Sequence, residues 1–185
     1  MDNSTRPSLS SPVAVYLLKG KITNTNQIGI SELSMKFEVE LILASGSSRR
    51  SELLDLLGIL YISRAPNIDE EPSAKEQPAS YVRRIAHTKA EAVWASSIKY
   101  LPVLGVDTVI EVDGTTISKP QNRQDAKRSL MMLSGREHQA LTALCLWTKQ
   151  GVYESVTQTI VKFRDISSSE LEAYCSTQEP YDKAG

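Results

Sequence analysis

The sequence predicts an α/β fold: a mixed, twisted sheet with flanking helices. Three observations point there. Short apolar runs alternate with stretches whose apolar residues recur at helical spacing. "VELILA" leads directly into a helix-like segment, the opening of a crossover unit. "VLGVDTVIEVDGTTIS" reads instead as strand, turn and return strand, so antiparallel pairing enters the same sheet. The 185 residues, 41% hydrophobic and 23% charged, supply the core of one ordinary domain.

Residues 1–34 stand apart as an expected disordered N-terminal extension. "MDNSTRPSLSSP" is rich in Ser, Asn and Pro, and "KGKITNTNQIGISELS" has no sustained period. "VAVYLL" is too short for a membrane span, and no A-x-A-like cleavage site follows it. A transit peptide is the alternative. Met35 is a candidate start for a folded domain over 35–185.

Within that domain, "VELILA" (39–44) is a buried-type strand. "SSRRSELLDLLG" is a helix, with Leu53, Leu54, Leu56 and Leu57 clustered on one face and Gly58 as its stop. "YISRAP" (61–66) is a second strand, and "NIDEEPSAKEQP" is an acidic loop punctuated by proline. "ASYVRRIAHTKAEAVWASSI" carries Val82, Ile85, Ala86, Ala90, Val93 and Trp94 at helical spacing. The Asp113-Gly114 turn joins two strands, and "QDAKRSLMMLSG" is a helix closed by Gly135. "HQALTALCLWT" and "VYESVTQTIVKFRD" are further strands; the alternation of Thr157, Thr159, Val161 and Phe163 marks a half-exposed antiparallel partner. Ser167 and Glu170 form a capping box before a last helix.

Composition removes some functions. The net charge of −1 carries no global basic field, which argues against nucleic acid as partner. No apolar run reaches membrane length. Cys145 and Cys175 show no CxxC spacing, and Cys145 inside "TALCLW" reads as a buried free thiol in a reducing, cytoplasmic setting.

Three groups carry chemistry. In "ASGSSRRSELL" a strand runs through a Ser/Gly turn into a helix, which aims backbone N–H groups at one point where phosphate binds. Arg49 and Arg50 add forked donors suited to phosphate oxygens, although an ordinary turn with solvated arginines has the same pattern. Asp107 lies mid-strand among apolar residues, where a carboxylate must be paired, hold a metal or act as a base; capping a neighbouring loop is its structural alternative. Thr108 points to the opposite face unless the strand bends. Glu70, in "NIDEEP", is either solvated surface or a second oxygen ligand for a hard cation such as Mg²⁺. Lys89 and Lys119, each more at home on the surface when taken alone, complete a set of cations that a metal-bound polyphosphate requires. His87 and His138 read as structural.

At these residues the chain resembles the Maf family of nucleoside triphosphate pyrophosphatases. The resemblance runs from about residue 41 to 185, through "LILASGSSRRSELL", "YVRRIAHTKAEAV", "VLGVDTVIEVDG", "ISKPQNRQDAKRSLMMLSGREH" and "STQEPYDKAG". It implies a Maf/ITPase-like sheet with a deep cleft between two lobes. It also implies hydrolysis between the α- and β-phosphates, a divalent metal (Mg²⁺ or Mn²⁺), a nucleoside triphosphate as substrate and a homodimer. By position, Asp107 resembles the family's catalytic, metal-associated acid and Glu70 its other metal-associated acid. Ser45, Arg49, Arg50, Lys89 and Lys119 resemble its phosphate-binding groups. Arg49 and Thr108 resemble the dTTP/UTP-type branch, which implies a pyrimidine substrate and cleansing of the nucleotide pool. A 7-methyl-GTP-type enzyme and a non-catalytic nucleotide-binding or division-regulating protein are the alternatives. Ser48 stands where the family usually has proline, and Ser118 where glycine or an acid is common. The family continues past "DKAG" with a "GYGIQ"-like segment, so the domain reads as truncated at its C-terminus.

Overall fold

A computed structural model of the chain describes residues 39–97, 101–117 and 119–182. The extension expected at 1–34, Met35, Ile98, Ser118 and residues 183–185 lie outside them. The described elements run in order β1 (Leu41–Ala44), α1 (Ser48–Leu56), β2 (Tyr61–Ser63), α2 (Pro78–Ala95), β3 (Val103–Val112), β4 (Thr115–Ile117), α3 (Arg123–Leu133), β5 (Glu137–Thr148), β6 (Gly151–Lys162) and α4 (Ser168–Cys175), with a final 3₁₀ turn at Glu179–Asp182. The mixed α/β prediction holds, and three sequence-consecutive pairs are neighbours in the sheet: β1–β2 by crossover, β3–β4 and β5–β6 by hairpin.

The sheet is hydrogen-bonded in the order β2-β1-β3-β5-β6, with β4 paired to β3. β1 lies parallel to both β2 and β3, while β3 to β5 and β5 to β6 are antiparallel. That placement explains "LILA". A strand flanked by parallel neighbours and covered on both faces must be apolar throughout. Ile42 and Ala44 face α2, with Val103, Val109, Leu141, Ala143 and Cys145. Leu43 faces the other way and packs with Leu54 of α1, Tyr61 and Val106.

Helix α2 begins with Pro78 in its first turn, where a missing N–H costs nothing. Its buried stripe is Val82, Ile85, Ala86, Lys89, Ala90 and Val93. The helix sits very close to β3. A Cβ on Gly105 would lie 2.1 Å from the Ala86 carbonyl oxygen and 2.9 Å from the Ala90 Cβ. Glycine in the strand and alanines on the helix permit this approach.

One sequence reading needs correction. In α1 the leucine cluster is not a buried face: Leu54 is buried, whereas Leu56 is 83% exposed and Leu53 and Leu57 are open as well. Only one side of that short helix meets the sheet. β6 is paired antiparallel to β5 and half-exposed as expected, and it forms the sheet edge. Thr157 and Thr159 are exposed, and of the four alternating residues only Val161 and Phe163 are partly covered. Gly58 does stop α1, with φ of 71°, and Asp113 and Gly114 both take positive φ in the β3–β4 turn, as a tight hairpin requires. The capping box of Ser167 and Glu170 is formed in both directions. Cys145 and Cys175 are both buried and free.

Candidate active site

The carboxyl end of β1 opens into a cleft of about 770 Å³. Ser45, Arg49, Arg50, Glu70, Lys89, Asp107, Thr108 and Lys119 all border it, so the fold brings the eight predicted residues to one cavity. Tyr81 and Leu53 border it too.

The first wall is the turn from β1 into α1. Ser45 is buried, and its backbone carbonyl accepts a hydrogen bond from the Ser63 hydroxyl at 2.7 Å, which ties the turn to β2. The Ser45 hydroxyl accepts from the Ser47 amide at 3.2 Å and from Arg50 Nη1 at 2.9 Å. Ser47 makes no side-chain cap bond to α1. The positive end of the helix dipole therefore opens on the cleft beside two guanidinium groups.

The floor comes from α2 and β3. Helical spacing places Lys89 seven residues after Val82 and four after Ile85, on the apolar stripe itself. The sequence reading set each lysine, taken alone, on the surface. Lys89 is instead only 7% exposed. A buried ammonium needs partners. Lys89 Nζ donates to Asp107 Oδ1 at 2.8 Å and to Glu70 Oε2 at 3.0 Å. Arg50 Nη2 stands 3.9 Å from the same Asp107 oxygen. Two acids from separate segments thus meet on one lysine. Burial pushes the Asp107 carboxyl above its ordinary range, and the neighbouring Lys89 and Arg50 pull against that rise.

Thr108 points away from α2, as strand alternation demands, and still borders the cleft. Its hydroxyl is exposed and shares a 3.0 Å hydrogen bond with that of Thr142 on β5. Lys119 follows β4 on the opposite rim and is exposed.

Sequence reasoning missed the groups that hold the acidic loop. The Tyr81 hydroxyl donates to the Glu70 carbonyl at 2.8 Å. Arg84 Nε and Nη2 donate to the Glu76 carboxylate at 2.8 and 2.7 Å, and Nη2 also reaches the Glu71 carbonyl at 3.1 Å. Burial and the nearby Asp107 and Glu70 push the Tyr81 hydroxyl up to about 12, so it stays protonated and donates. The signal was the spacing: Tyr81 and Arg84 are three apart on the helix that carries Lys89, and share the side facing the loop.

A buried acid paired with a lysine, beside arginines at a helix start, lines one cleft of a mixed α/β fold. The family is also defined. The chain belongs to the Maf-like proteins, whose family model matches residues 40–185. A dTTP/UTP pyrophosphatase of Nitrosomonas europaea is 42% identical over 157 residues, covering 78% of this chain and 76% of that protein. The dTTP/UTP pyrophosphatase of Aliivibrio fischeri is 40% identical over 152 residues, covering 80% of each. That of Escherichia coli K12 is 39% identical over 145 residues, covering 78% of this chain and 74% of its own length.

Proposed function

We propose that this chain hydrolyses nucleoside triphosphates, with dTTP and UTP favoured, to the nucleoside monophosphate and pyrophosphate. The observation that carries the reading is the Glu70–Lys89–Asp107 cluster on the floor of a cleft whose wall is the arginine-bearing start of α1. The names of the relatives supply the preference for pyrimidines.

The triphosphate lies against Ser45, Arg49 and Arg50 on one rim and Lys119 on the other, where cations and the α1 dipole offset its charge. Asp107 takes the proton of the attacking water as the water oxygen bonds to phosphorus. The P–O bond between the α- and β-phosphates breaks, and pyrophosphate leaves with the bond's electron pair. A carboxyl raised by burial is a better proton acceptor than an exposed one. Lys89 keeps the two acids together and compensates their charge in the absence of substrate. Thr108, exposed on the same cleft, is placed to contact the nucleoside.

The donor set also suits a divalent cation. Glu70 and Asp107, both hydrogen-bonded to Lys89 Nζ at the cleft, offer the hard carboxylate oxygens that Mg²⁺ or Mn²⁺ takes. An ion held by these two acids would neutralise charge on the polyphosphate and lower the pKa of bound water. The reading extends to a homodimer, supported by the exposed Leu144 and Tyr153 on the β5–β6 ribbon. It also places the protein in the cytoplasm, where two unpaired buried cysteines persist. Among the described residues no helix is long and apolar enough to cross a membrane.

The test is product analysis with dTTP, UTP and 7-methyl-GTP in the presence of Mg²⁺ or Mn²⁺. Monophosphate and pyrophosphate should form in equal amounts, faster from dTTP and UTP. Orthophosphate as the only phosphate product would overturn the reaction assigned, and a faster 7-methyl-GTP reaction would overturn the preference. A folded chain that binds nucleotide without turnover would leave a non-catalytic binder in its place.

A further inference from the structure

A second group of ligating side chains lies where α2 crosses the β5–β6 ribbon. Cys145 and Glu154 are directly opposite each other in the β5–β6 register, so both project from the sheet face that α2 covers. His87 reaches them from α2. Its Nδ1 is 2.7 Å from Glu154 Oε1 and 3.9 Å from Cys145 Sγ. The three donor atoms all lie within 4.8 Å of one another. Trp147 packs edge-on against the His87 ring with centroids 5.0 Å apart, which helps to fix the ring's direction. Nothing in the catalytic reading uses these residues.

We propose that His87, Cys145 and Glu154 form a binding site for Zn²⁺ or a similar borderline-soft divalent cation, separate from the catalytic cleft. One sulfur, one imidazole nitrogen and one carboxylate oxygen are ligands that zinc accepts together, and a Mg²⁺-type ion does not select them. Tetrahedral zinc with bonds of about 2.0–2.3 Å sets its ligand atoms roughly 3.3–3.7 Å apart. The Cys145–His87 separation is already near that spacing, and the His87–Glu154 pair has only to open by about half an ångström. Cys145 is buried at the back of the site, while the His87 and Glu154 side chains are 37% and 31% exposed. That leaves an open side through which the ion enters and where water completes its coordination. Glu91, one helical turn after His87, adds negative charge near the thiol. Binding forms the sulfur–metal bond as the Cys145 S–H proton passes to solvent, with no change of oxidation state. The site shares α2 with Lys89, two residues on, so an ion here would anchor the helix that supports the cleft.

The test uses the full chain, stripped of metal by a chelator and titrated with Co²⁺. With excess Mg²⁺ present to occupy the carboxylate site of the cleft, a thiolate-to-cobalt charge-transfer band in the near ultraviolet is expected that saturates at one ion per chain and is reversed by Zn²⁺. Cys145→Ser should abolish the band. Glu154→Gln and His87→Gln alter partly exposed side chains and should keep the far-ultraviolet circular dichroism of the parent. Each should weaken zinc binding by at least about 100-fold, beyond the loss typical of groups that only support a ligand. Absence of the band in the parent chain would overturn the site. So would its persistence in Cys145→Ser, or unchanged zinc affinity in both folded variants. Asp107→Asn should leave the thiolate-to-cobalt band as it is, which separates this site's failure from any failure of the catalytic reading.

Discussion

Gly105→Ala tests the packing that places Lys89 against Asp107. The added methyl carbon would stand 2.1 Å from the Ala86 carbonyl oxygen, 2.8 Å from the Ala90 nitrogen and 2.9 Å from the Ala90 Cβ. Two of those three atoms are helix backbone, so no side-chain rotation relieves the overlap. α2 must retreat from β3 by roughly 1 Å, and overpacking of this kind costs about 1–3 kcal/mol. Restricting the unfolded chain returns about 0.4–1 kcal/mol, which leaves a net loss of about 1–2 kcal/mol. For a domain of this size each kcal/mol lowers the melting temperature by roughly 2–4 °C, so a fall of about 2–8 °C is expected by calorimetry. The catalytic effect should be larger. The retreat carries Lys89 and Tyr81 away from Asp107 and the acidic loop, and a displacement of about 1 Å costs on the order of 100-fold in turnover. Pyrophosphate release from dTTP, measured well below the melting transition, reads it directly. A variant as stable and as active as the parent would refute both the tight seating of α2 and its role in the site.

Further expectations concern the supports of the cleft. Tyr81→Phe removes only the hydroxyl that donates to the Glu70 carbonyl; kcat/KM should fall roughly tenfold, the equivalent of one hydrogen bond of about 1.4 kcal/mol, with the melting temperature little changed. The Arg84 guanidinium, by its hydrogen bonds, and the Ser73 amide hold the Glu76 carboxyl down at about 2 against its ordinary 4.5. A depressed acid stabilises the fold above its unfolded value and loses that contribution as pH falls, here between about 4.5 and about 2. Carboxyl-carbon NMR should show a Glu76 midpoint near 2 that moves back toward 4.5 in Arg84→Gln; an ordinary midpoint in the parent would contradict the clamp. Ser167→Ala breaks the capping box of α4 and should cost about 1 kcal/mol in denaturant unfolding, without effect on turnover.

What the sequence disclosed follows the reach of each signal. The β1–α1 turn, the β3–β4 hairpin and the α4 cap are local, and their Ser, Gly and Asp residues mark them directly. Asp107 was legible because a carboxylate inside an apolar strand needs a reason. Lys89 was only half legible. Its helical position put it on the buried stripe, but the partner that makes burial tolerable lies on strand β3, 18 residues on. The leucines of α1 misled for a related reason. Periodicity shows that a helix has an apolar side, not whether another layer covers it, and α1 meets the sheet through Leu54 alone among its leucines. The exposure of β6 likewise depends on its place at the sheet edge, which only the register reveals. Tyr81 and Arg84 escaped notice because they act on backbone carbonyls and a surface acid, contacts that no local pattern announces.

The central claim is that Asp107, held by Lys89 beneath the arginine turn, is the group that takes the proton of the attacking water. Its most direct test is the single-turnover rate of pyrophosphate release from dTTP by Asp107→Asn, with nucleotide affinity measured on the same preparation. The account predicts a rate lower by roughly 10²–10⁴-fold, with dTTP affinity changed by no more than a few-fold. A rate within tenfold of the parent, in a variant that binds dTTP as before, would contradict it.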